Sequence, residues 1–246
     1  MGNSILERIA EGPPIIAAHR GASDRALENS PAAIVRAVAD GADMVEVDIR
    51  LSADDEPVVL HDERTGRTAK ENLTVAATSS ARLRKVLLKN GEPLPFLADV
   101  LELVKGMIPV NLHVKTAGGT AAAFRTLEAT GYRGEVIVSS GLREECIAAR
   151  TLRPYIPCGL VTGRPSASDI SFCLRHSLPS IHPDFRKLSR LRIRRVKNAG
   201  LLLIPWTVDD PEILFRLIEE GADGVFSNRS EVLRAALRER TSGNTE

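Results

Sequence analysis

A single α/β domain, built as a (β/α)8 TIM barrel with a small insertion after the second strand, is the fold that three observations predict. Eight short apolar runs rich in Val, Ile and Leu alternate with longer segments of helical period, the pattern of parallel strands joined by crossover helices. The 246 residues fall within the usual span of one such barrel, about 250 residues. With 43% hydrophobic but only 4% aromatic residues, the interior has to be filled by Val, Ile, Leu and Ala, the branched and small side chains that pack barrel cores.

The strands are expected near residues 15–18, 44–51, 108–114, 135–139, 157–162, 178–182, 201–206 and 223–227, each followed by a helical segment. Ser30-Pro31 reads as an N-cap with proline at the first helical position, and Asp210-Pro211-Glu212 repeats the arrangement with an acidic first turn. Gly41, Gly131, Gly200 and Gly221 stand between a helical segment and an apolar run, where a left-handed C-cap favours a residue without Cβ. The tripeptide Gly41-Ala42-Asp43 returns as Gly221-Ala222-Asp223, each leading into a strand, which hints at repeated βα construction. The least regular stretch, residues 63–95, holds the insertion and a helix before the third strand. No Pro/Gly/Ser-rich linker divides the chain, so residues 1–246 are read as one domain, with a short frayed tail from Ser242.

Composition excludes several classes of function. Thirty-three basic and 32 acidic side chains leave a formal net charge of +1, too little to draw the whole molecule to nucleic acid or an anionic membrane. The basic run from Arg190 to Lys197 reads as the solvated face of an outer helix, with Leu191, Ile193 and Val196 as its apolar stripe. No nucleic-acid partner is therefore expected. Cys146, Cys158 and Cys173 are odd in number and widely spaced, which argues for reduced, buried thiols rather than disulfides or structural zinc. Residues 1–14 lack a basic end followed by an apolar run, Leu6 stands where a myristoylation signal after Gly2 needs Ser or Thr, and no apolar run approaches the ~20 residues of a membrane span. A cytoplasmic location without a stable membrane anchor is expected. Whether copies associate into a homo-oligomer is left open.

Chemistry gathers where polar residues interrupt the strands near their C-terminal ends, the face on which barrel enzymes assemble active sites. His19-Arg20-Gly21 follows the first apolar run, and Glu28-Asn29-Ser30 completes the loop before the first crossover helix. In the next strand the period of two puts Glu46, Asp48 and Arg50 on one face. Both faces of a parallel sheet are normally covered, so two carboxylates there need a cation or a base to offset their desolvation, and a hard divalent ion fits oxygen ligands. His61-Asp62 ends the following apolar run, and Asn111, His113 and Lys115 share one face of the next barrel strand. His182 ends the sixth strand, where it serves either loop or ligand, while His176 reads as a surface residue of a helix. Trp206, the sole tryptophan, ends the seventh, where its ring either packs in the core or meets a ligand.

The ordered series HRG, E-N-[ST], E-x-D and HD on successive strands resembles the glycerophosphodiester phosphodiesterase family, and further matches at residues 181–185 and 205–210 extend the likeness over about 15–228. The resemblance implies a phosphoric diester hydrolase of glycerol and lipid metabolism. Its substrate would be a small-molecule glycerophosphodiester or related sugar phosphodiester, cleaved to an alcohol and a phosphomonoester. It implies His19 and His61 as general acid and base, and Glu46 and Asp48 as ligands of one divalent cation, Mg or Ca. It further implies that Arg20 and Lys115 contact the phosphate and that Trp206 meets the alcohol portion. Cleavage would run through attack of a neighbouring hydroxyl and a cyclic phosphate. The chain departs from the family at His113, where a third carboxylate, Glu, is usual. If His113 ligates, imidazole shifts preference towards Mn or Zn; if it does not, Glu46 and Asp48 hold the ion with water and phosphate alone. Lesser departures are Leu27 for Pro and Ser227-Asn228 for Thr-Asp, both read as beside the site rather than in it. Two functions follow: a metal-dependent phosphodiesterase, or a non-catalytic phosphate-ligand binding protein on the same scaffold.

Overall fold

Eight parallel strands curl into a nearly closed barrel because their apolar runs are buried on both faces, inward side chains filling the barrel and outward ones packing beneath helices. The computed structural model describes residues 5–242; Gly2 and residues 243–246 of the expected tail lie outside the described residues, while Ser242, expected to begin that tail, ends a helix. The strands are β1 (Ile15–His19), β2 (Met44–Leu51), β3 (Pro57–Val59), β4 (Val110–Val114), β5 (Val136–Ser140), β6 (Cys158–Thr162), β7 (Ser180–Pro183), β8 (Leu202–Leu203) and β9 (Gly224–Ser227). Around the barrel they run β8-β7-β6-β5-β4-β2-β1-β9, while β3 pairs antiparallel with β2 outside that path. Backbone bonds from Asp223 N to Leu203 O, Phe226 N to Pro205 O and Val208 N to Phe226 O, each 2.9 Å, draw the two ends together. All eight expected strands are present. The seventh is shorter than its apolar run, with two residues paired to β7 and then a single bridge from Trp206 to Asp184.

The helices are α1 (Ile5–Glu11), α2 (Pro31–Ala39), α3 (Ser80–Leu83), α4 (Leu97–Val104), α5 (Gly119–Ala129), α6 (Arg143–Leu152), α7 (Ala167–Arg175), α8 (Arg190–Asn198), α9 (Pro211–Glu219) and α10 (Ser230–Ser242). The two expected N-caps hold: Ser30 Oγ accepts from Ala33 N, and Asp210 accepts from Glu212 N and Ile213 N. Gly41 and Gly221 take φ of 71° and 109°, so the chain leaves α2 and α9 through backbone that only glycine adopts without strain. The tripeptide repeat has one structural meaning at both sites. Asp43 accepts from Ile16 N at 2.8 Å and Asp223 from Leu203 N at 2.7 Å, each carboxylate closing a backbone donor of the neighbouring strand segment.

The largest apolar cluster lies between the outer face of the sheet and the helices and includes Ile16, Val45, Leu112 and Val138 against Ile34, Leu101, Phe124 and Leu214. A second lies in the barrel near the N-terminal ends of the strands, where Ile5 and Ile9 of α1 meet Ile15, Met44, Ile137 and Phe226. That helix is absent from the sequence reading, because seven residues, about two turns with only Ile5 and Ile9 buried, are too few for a period to stand out. The insertion builds a third core from Val58, Leu60, Val75, Leu83, Leu88 and Phe96, among others, so it is a packed unit rather than a loose loop. The stripe expected of α8 needs one correction: Ile193 and Val196 are buried, but Leu191 is 57% exposed. Positions 193 and 196 are three apart and share a face, whereas 191 lies two residues from 193 and points away. The three cysteines are free and buried. Among the described residues no helix is long and apolar enough to cross a membrane.

Candidate active site

The site begins where β1 runs into a tight turn. His19 is the register partner of Glu46 on β2, and Arg20 and Gly21 then take φ of 60° and 80°. A Cβ on Gly21 would sit 2.6 Å from the backbone carbon of Ala33, so only glycine lets α2 approach this closely. The turn aims the Arg20 amide at Glu46 Oε2, 2.8 Å away. Asn29, also left-handed at 57°, exchanges two bonds with Asp48: its Nδ2 donates to Oδ2 at 2.9 Å and its Oδ1 accepts from Asp48 N at 3.2 Å. The E-N-[ST] loop therefore serves as a bracket for the carboxylate strand.

Glu46 and Asp48 are almost fully buried, and the groups around them explain how two carboxylates survive there. Lys115 Nζ is 3.2 Å from Asp48 Oδ1, Arg20 Nε is 3.2 Å from Asp48 Oδ2, and His113 Nδ1 is 3.4 Å from both Glu46 Oε1 and Asp48 Oδ1. Burial alone would raise the Asp48 carboxyl, but His113, Lys115 and Arg20 outweigh it and hold the group well below its usual range. Burial likewise opposes charge on His113, yet Asp48 and Glu46 raise its proton affinity above that of a free imidazole. Glu46 Oε1 and Asp48 Oδ1, both buried, make no well-aligned hydrogen bond and meet only these cationic or ionisable neighbours, His113 and, for Asp48, Lys115. Together with His113 they offer three ligand atoms within 4.8 Å of one another, two hard oxygens and one imidazole nitrogen, a donor set that fits a divalent cation.

The two other histidines are oriented by different chemistry. Asn228 donates its Nδ2 to Asp209 Oδ2 at 2.8 Å, which leaves Oδ1 facing His19 Nδ1, also at 2.8 Å. An amide oxygen only accepts, so Nδ1 carries the hydrogen and Nε2 keeps a free lone pair. Asn228 does not line the cavity, in keeping with its expected place beside the site, but it touches His19 from behind; its signal is its position at the end of the last strand, next to the first. Leu27, the other departure, does lie aside and packs on the core of the insertion. His61 Nδ1 is 2.7 Å from Asp62 Oδ1, a carboxylate. Burial lowers the His61 proton affinity by more than Asp62 restores. Arg67, with smaller help from His61, brings Asp62 down to about 2.

His19, Arg20, Glu46, His61, His113, Lys115 and Trp206 line one cavity of about 380 Å³, and Asp48 is buried behind them. Residues far apart in sequence thereby meet at one barrel mouth. Trp206 donates its ring N–H to His182 O at 2.8 Å and faces an apolar side of the cavity formed with Leu142, Val161 and Phe226. His182 also lines the cavity, 3.0 Å from Ser180 Oγ, and burial, aided by nearby His113, pushes it down to about 3. Arg50 turns away from the carboxylates and donates to His61 O at 2.8 Å. His176 ends α7 and packs against the Phe172 ring. Glu28 accepts from Arg20 at 2.8 Å and also binds Arg67, an insertion residue that no motif marks.

The chain matches the model of the "Glycerophosphoryl diester phosphodiesterase family" over residues 19–232. A glycerophosphodiester phosphodiesterase of Caldanaerobacter subterraneus is 29% identical over 238 residues, covering 91% of this chain and 98% of that protein. Among solved structures, a phosphodiesterase of Oleispira antarctica in complex with its product sn-glycerol-3-phosphate shares the fold with a TM-score of 0.87 at 24% identity, over 92% of this chain and 97% of that one. A glycerophosphodiester phosphodiesterase of Thermotoga maritima aligns with a TM-score of 0.75 at 26% identity, over 90% and 97% of the two chains. Of the two readings of the sequence, enzyme and binding protein, the enzyme is the one that stands. The chain belongs to the glycerophosphoryl diester phosphodiesterase family and is a phosphoric diester hydrolase.

Proposed function

We propose that this protein hydrolyses a glycerophosphodiester, or a related sugar phosphodiester, with the help of one divalent cation held by Glu46, Asp48 and His113. The observation that carries the reading is the convergence, at one cavity, of His19 and His61 with Glu46, Asp48 just behind the wall, and the His113 imidazole whose nitrogen lies beside both carboxylates. The names of the relatives supply the substrate class. When bound, the cation withdraws charge from the phosphoryl oxygens as the transition state builds it up. Arg20 and Lys115 add to that field and orient the phosphate.

The histidines divide the proton work by their partners. His19, held with Nδ1–H towards Asn228, takes the proton of a substrate hydroxyl next to the phosphate on Nε2 as that oxygen bonds to phosphorus. His61, whose imidazolium Asp62 supports against the burial that opposes it, gives its proton to the departing alcohol oxygen as the P–O bond breaks. Water then opens the cyclic phosphate with the two roles exchanged. No cysteine or serine nucleophile is required, and the three cysteines lie buried in the core. Trp206 and the apolar wall beside it contact the carbon skeleton of the alcohol.

Because imidazole replaces an anionic donor at position 113, the site favours Mn or Zn over Mg or Ca. Titration calorimetry of chelator-treated protein with the four ions, run beside turnover of a phosphodiester panel, tests this. Mn or Zn should bind more tightly than Mg or Ca, and His113→Glu should narrow or reverse the order. Full turnover after chelation would remove the cation from the reading, and unchanged turnover in His19→Ala would remove its proton-transfer role.

A further inference from the structure

We propose that Arg67, carried by the insertion, is a positioning residue that ties the proton-transfer group His61 to the phosphate-contacting Arg20 through one guanidinium. The inference rests on the reading of the site given above. Arg67 closes the short turn Thr65–Arg67 and uses both edges of its fork. Its terminal nitrogens donate to Glu28 Oε2 and Oε1 at 2.7 and 2.6 Å, and its Nε donates to Asp62 Oδ2 at 2.5 Å. Each carboxylate passes the contact on. Asp62 Oδ1 lies 2.7 Å from His61 Nδ1, and Glu28 Oε1 accepts from Arg20 at 2.8 Å, while Arg20 Nε reaches Asp48 Oδ2 at 3.2 Å. A continuous chain of charged groups thus runs from His61 through the insertion to the carboxylate strand.

Stability gives a weak reason for this arrangement. The Arg67 side chain is 47% exposed, exposed ion pairs contribute little, and the insertion has a separate apolar core that does not include it. Both ends of the chain instead terminate on groups that act in the cavity. Lysine, a point charge on a flexible stem, does not offer two edges at once, so the geometry specifies arginine. The arrangement also divides the charge of Asp62 between His61 and Arg67. His61 is faced besides by Asp48, Arg20 and Lys115, and Arg50 binds its carbonyl. Without Arg67, Asp62 pairs with His61 alone and the imidazolium gains stability.

The test compares wild type, Arg67→Met and Arg67→Lys in full-length protein. We expect kcat/KM on a glycerophosphodiester to fall on the order of 10- to 100-fold in Arg67→Met, with kcat and KM both changed and the melting temperature close to wild type. NMR titration of the His61 ring should move to higher pH in Arg67→Met, and the pH limb of kcat should follow it. Arg67→Lys should stay impaired although it keeps the charge. Wild-type kcat, KM and His61 titration in Arg67→Met would overturn the proposal, as would full activity in Arg67→Lys. The NMR titration is independent of turnover, so an unshifted His61 sinks the proposal even if the wild type cleaves no phosphodiester, an outcome that would separately sink the reading of the site.

Discussion

Asn228 and Asp62 do similar work for two histidines with different charge, and that difference can be measured. Asn228→Asp places a carboxylate against His19 and should raise the imidazole's proton affinity, moving the limb of the pH–rate profile that His19 controls to higher pH. A profile that does not move would refute the assignment of Asn228 as the group that fixes His19. His182 offers a second titration with the opposite sign. Its folded value of about 3 lies below that of a free histidine, so between the two the unfolded chain binds more protons. Its contribution is therefore intact above about pH 6.5 and fades as pH falls towards 3, with a limiting slope of about 1.4 kcal/mol per pH unit. Urea unfolding across that window should show a flatter pH dependence in His182→Gln than in wild type; parallel curves would show that His182 is not held neutral.

At the scale of elements, short-range signals were the legible ones. Asp210 caps α9 as Asp-Pro-Glu implied, and Asp210→Ala should cost about 1 kcal/mol, or roughly 2–4 °C in Tm, because two backbone amides lose their acceptor. A variant that melts with wild type would show that water replaces the carboxylate at no cost. The recurrence of Gly-Ala-Asp proved to be a shared device, a carboxylate that completes the neighbouring strand's hydrogen bonding, although the tripeptide alone carried no such meaning. The insertion was legible only as irregularity. Its order comes from contacts such as the bridge of Val58 to Phe96 within a core that also holds Leu88, which no local period announces.

For the whole molecule, we propose that barrel and insertion form one domain, since β3 belongs to the sheet through β2 and to the insertion through Val58. Far-UV circular dichroism, which follows the helices, and fluorescence of the single tryptophan, Trp206 at the closing strand, should then report one coincident thermal transition. Two separated midpoints would divide the chain into independent units. A bound cation should raise that midpoint, by an amount equivalent to about 2.7 kcal/mol at 100 times Kd, and should do so much less in Asp48→Asn.

The sequence by itself determined the eight strands and the capped helices, and it singled out the candidate reactive groups, because period, caps and strand-end motifs act over a few residues. It also carried the face shared by Glu46 and Asp48, since alternation is fixed by the pleat. Tertiary structure alone decided who meets whom. Asn228 reaches His19 across 209 positions because barrel closure sets β9 beside β1, and Arg67 reaches Glu28 across 39 because the insertion folds on its own core. Such pairings depend on where separate elements dock, and a side chain's neighbours along the chain hold no record of that.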